Sequence, residues 1–274
     1  MDPKIAAFRA LHEKGCFVLP NPWDPGSAVY LEHLGFKAVA TTSAGFAFSQ
    51  ALPDAGVPLE KMLRHVEEIA AATRIPVNAD FQNGYADQPE QVAANVTRCA
   101  RTGVAGLSIE DSTSAGKLYD RSLAIERVQA ARKAIDATGS GVVFTARCEA
   151  FLLGVPDAAK IALDRLVAFA EAGADCLYAP GVRDPETIAA IVKAVAPRPI
   201  NVLVGAPGPT VSQLASLGVR RISVGGALAR AAWAGFVRAA REILEQGTFG
   251  GFAGATPFGE LETLFKTAAG TRAG

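Results

Sequence analysis

The sequence predicts a parallel (β/α)8 barrel, and two observations carry that prediction. Eight short runs rich in β-branched and apolar residues recur along the 274-residue chain, with helical periodicity between them. Their spacing is nearly even and no GxGxxG turn is present, which favours a closed barrel over a doubly wound open sheet. The predicted strands are 16–21, 37–45, 76–80, 106–111, 142–150, 175–181, 199–205 and 221–226.

The intervening segments have the apolar faces of helices and residues that are typical of helix ends. Segment 60–73 places Met62, Val66 and Ile69 on one face, and segment 156–173 has the same periodicity. Asp24-Pro25 is typical of an N-cap and a first helical residue.

The barrel pattern runs without a linker to residue 246, which predicts a catalytic barrel domain over 1–246. Residues 247–274 form a C-terminal Gly-rich segment followed by a short helix. The apolar side chains of this tail need a surface, either their own barrel or another subunit: Phe258, Leu261, Leu264 and Phe265.

Composition excludes several classes of partner. Lys and Arg number 27, as do Asp and Glu, so no basic surplus favours nucleic acid. The charged amphipathic start resembles neither a signal peptide nor a membrane span, so we expect a cytoplasmic protein without a membrane partner. The four cysteines lack metal-binding spacing, which favours buried apolar roles: Cys16, Cys99, Cys148 and Cys176.

Polar side chains end several predicted strands, at the edge where such barrels carry their chemistry. Asn78 and Asp80 are two residues apart, so both point the same way. Glu110 and Arg147 end the next two strands. Carboxylates beside one arginine suit a divalent cation and an anionic substrate. Since no His or Cys accompanies them, Mg²⁺ or Mn²⁺ is favoured over zinc.

Each of these residues also has a structural interpretation. Asp80 could cap the Asn83-Gly84 turn, and Arg147 could form an ion pair with Glu110 or Glu149. No lysine ends a strand, which weakens a Schiff-base mechanism. The three histidines fall in predicted helices, which disfavours histidine general-base chemistry: His12, His33 and His65.

Taken together and in order, five motifs resemble the isocitrate lyase/phosphoenolpyruvate mutase superfamily, over about residues 21–230. They are NPWDPGSAVYLEHLGFKAVATTSAG, ALPDAG, VNADFQNGYAD, AGLSIEDST and TARCEAF. The resemblance implies a (β/α)8 barrel whose last helix is exchanged between subunits of a homo-oligomer, a dimer or a dimer of dimers. It also implies Mg²⁺ and a small-molecule 2-oxo acid substrate that reacts through an enolpyruvate-like intermediate.

The resemblance also implies site roles, residue by residue. Arg147, Asp54 and Glu110 are the catalytic residues that it implies, and Asp80 and Glu110 belong to the metal shell with Asn78. Substrate binding is assigned to five residues, of which Trp23 is included for its place at the rim: Trp23, Ser43, Ala44, Gly45 and Arg147.

Two departures from the family pattern narrow the expected reaction. Asn78 replaces the first aspartate of a DAD-like strand end, and the loop at 112–122 has neither Cys nor His. Decarboxylation or retro-aldol cleavage of a small 2-oxo dicarboxylate then fits better than (methyl)isocitrate cleavage. Three alternatives stay open: C–P bond chemistry, a sugar-phosphate enzyme with a phosphate cradle at Gly225-Gly226, and a non-catalytic 2-oxo-acid binder.

Overall fold

The computed structural model, which describes residues 1–273, contains one eight-stranded parallel sheet curved into a nearly closed barrel. The strand order β1-β8-β7-β6-β5-β4-β3-β2 confirms the predicted (β/α)8 fold, and all eight predicted strands are present. The strands are β1 Phe17–Leu19, β2 Val39–Ala40, β3 Val77–Asp80, β4 Gly106–Glu110, β5 Val143–Arg147, β6 Cys176–Tyr178, β7 Ile200–Leu203 and β8 Arg221–Ser223.

Helices surround the sheet, and both amphipathic segments named from the sequence are helical. The Asp24 side chain accepts from the Ser27 N–H in a capping box, as its position before Pro25 predicted. The helices are α1 Pro3–Glu13, α2 Pro25–His33, α3 Ser43–Ser49, α4 Leu59–Ala72, α5 Pro89–Ala100, α6 Arg121–Thr138, α7 Ala158–Glu171, α8 Pro185–Val195, α9 Val211–Ser216, α10 Ala227–Gln246 and α11 Phe258–Ala273, with a 3₁₀ turn at Gly250–Phe252.

The second predicted strand, 37–45, ends earlier than expected. Strand β2 stops at Ala40, and the chain enters helix α3 at Ser43. The cause is local, because the Thr42 side chain caps this helix by accepting from the Gly45 N–H at 3.2 Å. The Ser-Ala-Gly segment is therefore the first turn of a helix whose N-terminus points to the rim.

Asn21 lies at the seam of the barrel, where the strand order leaves β1 and β2 as the two end strands of the sheet. This buried amide, 5% exposed, donates from Nδ2 to the carbonyl of Thr41 at 2.9 Å. Its Oδ1 accepts from the N–H groups of Val224 and Gly225 at 3.0 and 2.8 Å. One side chain thus joins the ends of β1, β2 and β8.

Helix α1 plugs the amino-terminal end of the barrel. The Phe8 ring is fully buried, and a Cβ added at Gly106 would lie 2.6 Å from it, so only glycine fits there. His12 packs edge-on against Phe8 and Phe17. The barrel interior therefore opens at the other end, where the polar strand ends lie.

The C-terminal helices differ in how they pack. Helix α11 lies on α2, where Leu264 is buried with Val29 and Ala72. In helix α10, Ala229 is the one buried member among 20 residues, and large apolar side chains are exposed. The predicted tail begins where α10 ends, and its last residue, Gly274, lies outside the described residues.

Other sequence expectations concern the cysteines, the histidines and the membrane. In the described chain all four cysteines are free and three of them are buried, as expected of apolar packing residues. The histidines lie in α1, α2 and α4. Among residues 1–273, no helix has the length and apolar character needed to cross a bilayer.

We expect Asn21→Ala to destabilise the protein by about 2–4 kcal/mol, because three buried hydrogen bonds lose their common partner. Urea unfolding followed by circular dichroism measures the change. Asn95→Ala is the matched control, since that amide donates only to the carbonyls of Gly84 and Tyr85 on the outside of the barrel. Equal losses in the two variants would contradict the role of Asn21 at the seam.

Candidate active site

A cavity of about 730 Å³ occupies the carboxyl-terminal end of the barrel and extends into its interior. It brings together most of the residues predicted from the strand ends and from the ALPDAG motif at 51–56. Those lining it include Ser43, Ala44, Asp54, Asn78, Asp80, Glu110 and Arg147.

Arg147, the last residue of β5, forms the centre of this group. Its Nη1 lies 2.8 Å from Asp80 and 3.1 Å from Glu110, and its Nε lies 2.9 Å from Glu149. Its guanidinium lies over the Tyr178 ring, 5.0 Å from the centroid. Burial alone would lower the pKa of Arg147, but the neighbouring carboxylates raise it well above its ordinary value. The arginine is therefore a permanent cation at the cavity wall.

Asp80 is oriented by the start of α3. One of its oxygens accepts from both the N–H and the Oγ–H of Ser43, at 2.9 and 2.8 Å. This contact orients the Asp80 carboxyl group toward the amino end of α3, which favours negative charge. The Asn83-Gly84 turn is closed instead by the Gly84 N–H donating to the Phe81 carbonyl. Capping of that turn therefore does not explain Asp80.

The hydrogen-bond donors of segment 43–45, which is predicted to bind a substrate carboxylate, have different partners. Both Ser43 donors contact Asp80, and the Gly45 N–H contacts Thr42. The Ala44 N–H has no acceptor within the described part of the chain, and Ala44 lines the cavity. Trp23 lies behind this turn and outside the cavity lining, with its Cβ 3.1 Å from a Cβ added at Gly45.

Two carboxyl groups at the rim hold protons more tightly than usual. Burial raises the pKa of Glu110 to about 8, against the opposing effect of Arg147. Burial, and next the charge of Asp80, raises the pKa of Asp54. These perturbed acids in a cleft are typical of proton-transfer sites.

Asp111, the neighbour of Glu110, has a different role. It is buried, accepts from the Glu149 N–H at 2.8 Å and pairs with Arg165 of α7 at 2.9 Å. Since side chains alternate along a strand, Glu110 lies in the cavity while Asp111 holds β4 to β5 and α7. The acidic pair is thus one site residue and one structural residue.

The candidate metal ligands fit a magnesium ion that keeps several waters better than one coordinated by protein side chains alone. In the described residues no three His, Cys, Asp or Glu side chains converge on one metal position. Mg²⁺ commonly keeps several waters and binds one or two carboxylates, and Asp80 and Glu110 supply these at the rim. Asn78 lies two residues before Asp80 on β3. Its buried Oδ1 has no hydrogen-bond partner among residues 1–273, so it can accept from an ordered water.

The loop at 112–122 is a short turn. Ser112 and Leu118 form an antiparallel bridge, and Tyr119 is buried with its hydroxyl donating to Asp87. Burial, and next this hydrogen bond, raises the pKa of Tyr119 to about 12. Lys117 is exposed and outside the cavity lining. The loop therefore closes part of the rim, while its Lys117 and Tyr119 side chains lie outside the cavity lining.

The Gly-rich strand endings do not form an open phosphate cradle. The N–H groups of Val224 and Gly225 both donate to Asn21, so two donors that a phosphate would need are already used. This geometry argues against the sugar-phosphate alternative.

Three polar residues of the site were not in the predicted set. Glu149 contacts Arg147 directly, Tyr178 lies beneath it, and Arg221 lies at the base of the cavity. The sequence did contain a signal for Arg221. A charged residue within a strand such as RRISV is costly to bury unless the barrel interior is polar there.

Fold and site together define a class: a (β/α)8 enzyme with an acid-rich rim around one arginine, suited to small anionic substrates. The chain belongs to the phosphoenolpyruvate phosphomutase family, whose model matches residues 8–244, and so to the isocitrate lyase/phosphoenolpyruvate mutase superfamily.

Relatives of known and unknown activity support this placement. An uncharacterised protein of Mycobacterium tuberculosis H37Rv is 35% identical over 224 residues, 80% of this chain and 81% of that one. The oxaloacetate decarboxylase of Pseudomonas aeruginosa PAO1 is 31% identical over 196 residues, 69% of this chain and 67% of that enzyme. A Burkholderia cenocepacia J2315 structure, described provisionally as a lyase or mutase, is 45% identical with TM-score 0.93 and covers 96% of both chains. The predicted enzyme class, a carbon–carbon lyase of this superfamily, is thereby confirmed.

The raised pKa of Glu110 predicts that metal-free protein loses stability as pH rises from about 4.5 to about 8. Across this window the folded state holds a proton that the unfolded state releases, so each step up in pH favours unfolding. Glu110→Gln, which mimics the protonated acid, removes this contribution. Thermal unfolding in chelator at pH 5, 6, 7 and 8 measures it. Parallel pH curves for wild type and variant would contradict the prediction.

Proposed function

We propose that the protein is a Mg²⁺-dependent lyase that cleaves or decarboxylates a small 2-oxo dicarboxylic acid through an enolpyruvate-like intermediate. The observation that carries the proposal is the placement of Arg147 in an open cavity, with Asp80, Glu110 and Glu149 around it. A fixed cation and cation-binding carboxylates beside one another suit a 2-oxo acid. The relative named oxaloacetate decarboxylase makes oxaloacetate the first substrate to test.

Decarboxylation of a 2-oxo diacid requires the electron pair released by C–C bond cleavage to be stabilised. The C3–C4 bond breaks, CO₂ leaves, and the electron pair forms the C2–C3 double bond and leaves negative charge on the 2-oxygen. A proton then adds to C3 and gives the 2-oxo monoacid. Arg147 donates hydrogen bonds where that charge develops, and the Ala44 N–H is a further donor for a carboxylate.

Asp80 and Glu110, with Asn78 through water, are the residues that would hold the metal ion. When bound, Mg²⁺ supplies Lewis-acid polarisation of the 2-oxo group. Ser43 keeps the Asp80 carboxylate turned to the cavity. Asp54, whose pKa is raised by burial and by Asp80, is the residue that we assign to proton transfer at C3.

The substrate assignment is tested by pyruvate release from oxaloacetate, phosphonopyruvate, methylisocitrate and substituted 2-oxo diacids, with Mg²⁺ and with chelator. We expect chelator-sensitive release from oxaloacetate or one substituted 2-oxo diacid. Release only from phosphonopyruvate would move the reaction to C–P bond cleavage. Tight oxalate binding with no release from any substrate would leave a 2-oxo-acid binder.

Arg147→Lys should lower kcat/KM by at least about 100-fold, because the ammonium group keeps the charge but loses the planar fork. Steady-state kinetics on the best substrate measure the loss. Arg165→Lys is the matched control: its ion pair with Asp111 is equally buried but lies outside the cavity, so it should change stability and leave kcat/KM within a few-fold. Similar activity losses in both variants would argue against a direct role for Arg147.

We also propose that the protein is a homo-oligomer in which helix α10 and the segment after it pack on a neighbouring subunit. The exposed apolar side chains of this arm support the proposal, since contiguous apolar patches mark interfaces. Phe236 is 62% exposed and Phe258 is 81% exposed. The exposed arm residues are Leu228, Trp233, Phe236, Val237, Ile243, Leu244, Phe249, Phe252 and Phe258.

The assembly is tested by light scattering after size-exclusion chromatography. We expect a dimer or tetramer for the wild type and for Leu34→Glu, a control at an exposed leucine that is not part of the arm. Trp233→Glu with Phe236→Glu should shift the protein to a smaller species. A monomeric wild type would contradict the exchanged arm.

A further inference from the structure

Arg221 is a second buried arginine in the same cavity, and it has no counterion in the part of the chain that the structure describes. It is the first residue of β8, is 2% exposed and lines the base of the cavity. Its Nε donates to Asn201 Oδ1 at 3.1 Å, and its Nη1 lies 3.3 Å from His12 Nε2. Within the described residues it takes part in no ion pair.

Both partners of Arg221 are neutral. His12 Nδ1 lies 2.7 Å from the Phe8 carbonyl, which can only accept, so the proton is assigned to Nδ1 and Nε2 accepts from Arg221. Burial, and next the Arg221 charge, lowers the pKa of His12 to about 3. Asn201 is an amide whose Nδ2 donates to Ser223. Among the described residues, no group in contact with the Arg221 guanidinium therefore cancels its charge.

The other buried arginines differ from Arg221. Arg165 pairs with Asp111. Arg127 donates to three backbone carbonyls and lies over the Tyr119 ring. Arg221 has two acceptors for the five N–H donors of a guanidinium, which leaves three without a protein acceptor in the described chain. Burying a cation without a counterion and with unpaired N–H donors costs free energy. A bound anion would neutralise the charge and accept hydrogen bonds from these donors.

The cavity gives an anion access to this arginine. The residues that line this one cavity include Ser114 of the rim turn as well as Asn201 and Arg221. Arg147 ends β5 and Arg221 begins β8, so the two guanidinium groups mark opposite levels of one cavity. Tyr178 and Ser223 lie between them, 3.4 Å apart through their hydroxyl oxygens.

We propose that Arg221 forms an anion subsite at the base of the cavity, which binds a small singly charged anion such as a carboxylate or a halide. The unused N–H donors of the guanidinium contact the anion, and its planar fork suits a carboxylate. The anion is either a free ion or the remote carboxylate of a substrate. Only the second source rests on the proposed lyase function.

The first test is crystallographic and uses wild-type protein in sodium bromide. We expect an anomalous peak within hydrogen-bonding distance of the Arg221 guanidinium. This measurement needs neither turnover nor metal, so it is independent of the lyase assignment. Absence of bromide at Arg221 overturns the proposal.

The second test follows the thermal midpoint in solution as bromide or formate replaces gluconate at constant ionic strength. We expect a saturable rise in wild type and in Arg220→Met, which removes the same charge next along the chain but outside the cavity lining. Arg221→Met should lose the rise. If that variant does not fold, Arg221→Lys, which keeps one donor group, should show a weaker rise. An unchanged rise in the Arg221 variants overturns the proposal.

Calorimetric titration distinguishes the two sources of anion. Oxalate is short, whereas 2-oxoglutarate carries a remote carboxylate. Bromide that weakens 2-oxoglutarate binding but leaves oxalate binding unchanged identifies the subsite with a substrate carboxylate. Bromide that affects neither, while still bound at Arg221, identifies a free-anion site.

Discussion

The contact between Arg147 and the three carboxylates around it is the interaction on which the site depends. In the barrel interior, burial makes a carboxyl group costly to ionise, and it raises the pKa of Glu110 to about 8 even beside Arg147. One guanidinium cannot neutralise Asp80, Glu110 and Glu149 together, so the rim has a surplus of negative charge. A divalent cation is the natural complement of this surplus, and an anionic substrate becomes favourable once the cation is present.

The Asn21 side chain, at the seam of the barrel, also affects which ligands the cavity can bind. Asn21 closes the sheet and in doing so takes the backbone donors that end β8. The same amide therefore stabilises the fold and removes one way of binding a phosphate group. Charge at the base of the cavity comes instead from the side chain of Arg221, which enters from the opposite end of the same strand.

Sequence reasoning reached the fold and most of the rim because both follow from short-range patterns. Strand spacing located all eight strands, and the carboxyl-end rule located Asp80, Glu110 and Arg147. It missed the helical turn at Ser43, since a run of β-branched residues resembles a strand until the Thr42 cap is seen. It also missed Tyr178, whose position beneath Arg147 depends on register between strands, and register is a property of the closed sheet.

The anchored turn over the rim has a consequence for stereochemistry. The segment Thr113–Gly116 is short, and Tyr119 fastens its far end to Asp87, so no long segment from this loop folds over the substrate. Water then reaches the mouth of the cavity. In the lyase reaction proposed above, a planar enol held there would be exposed to protons on its open face as well as from Asp54. A substrate carrying hydrogen and tritium at C3 in one configuration, converted in D₂O as the source of the third isotope, would therefore give a product methyl group of mixed handedness.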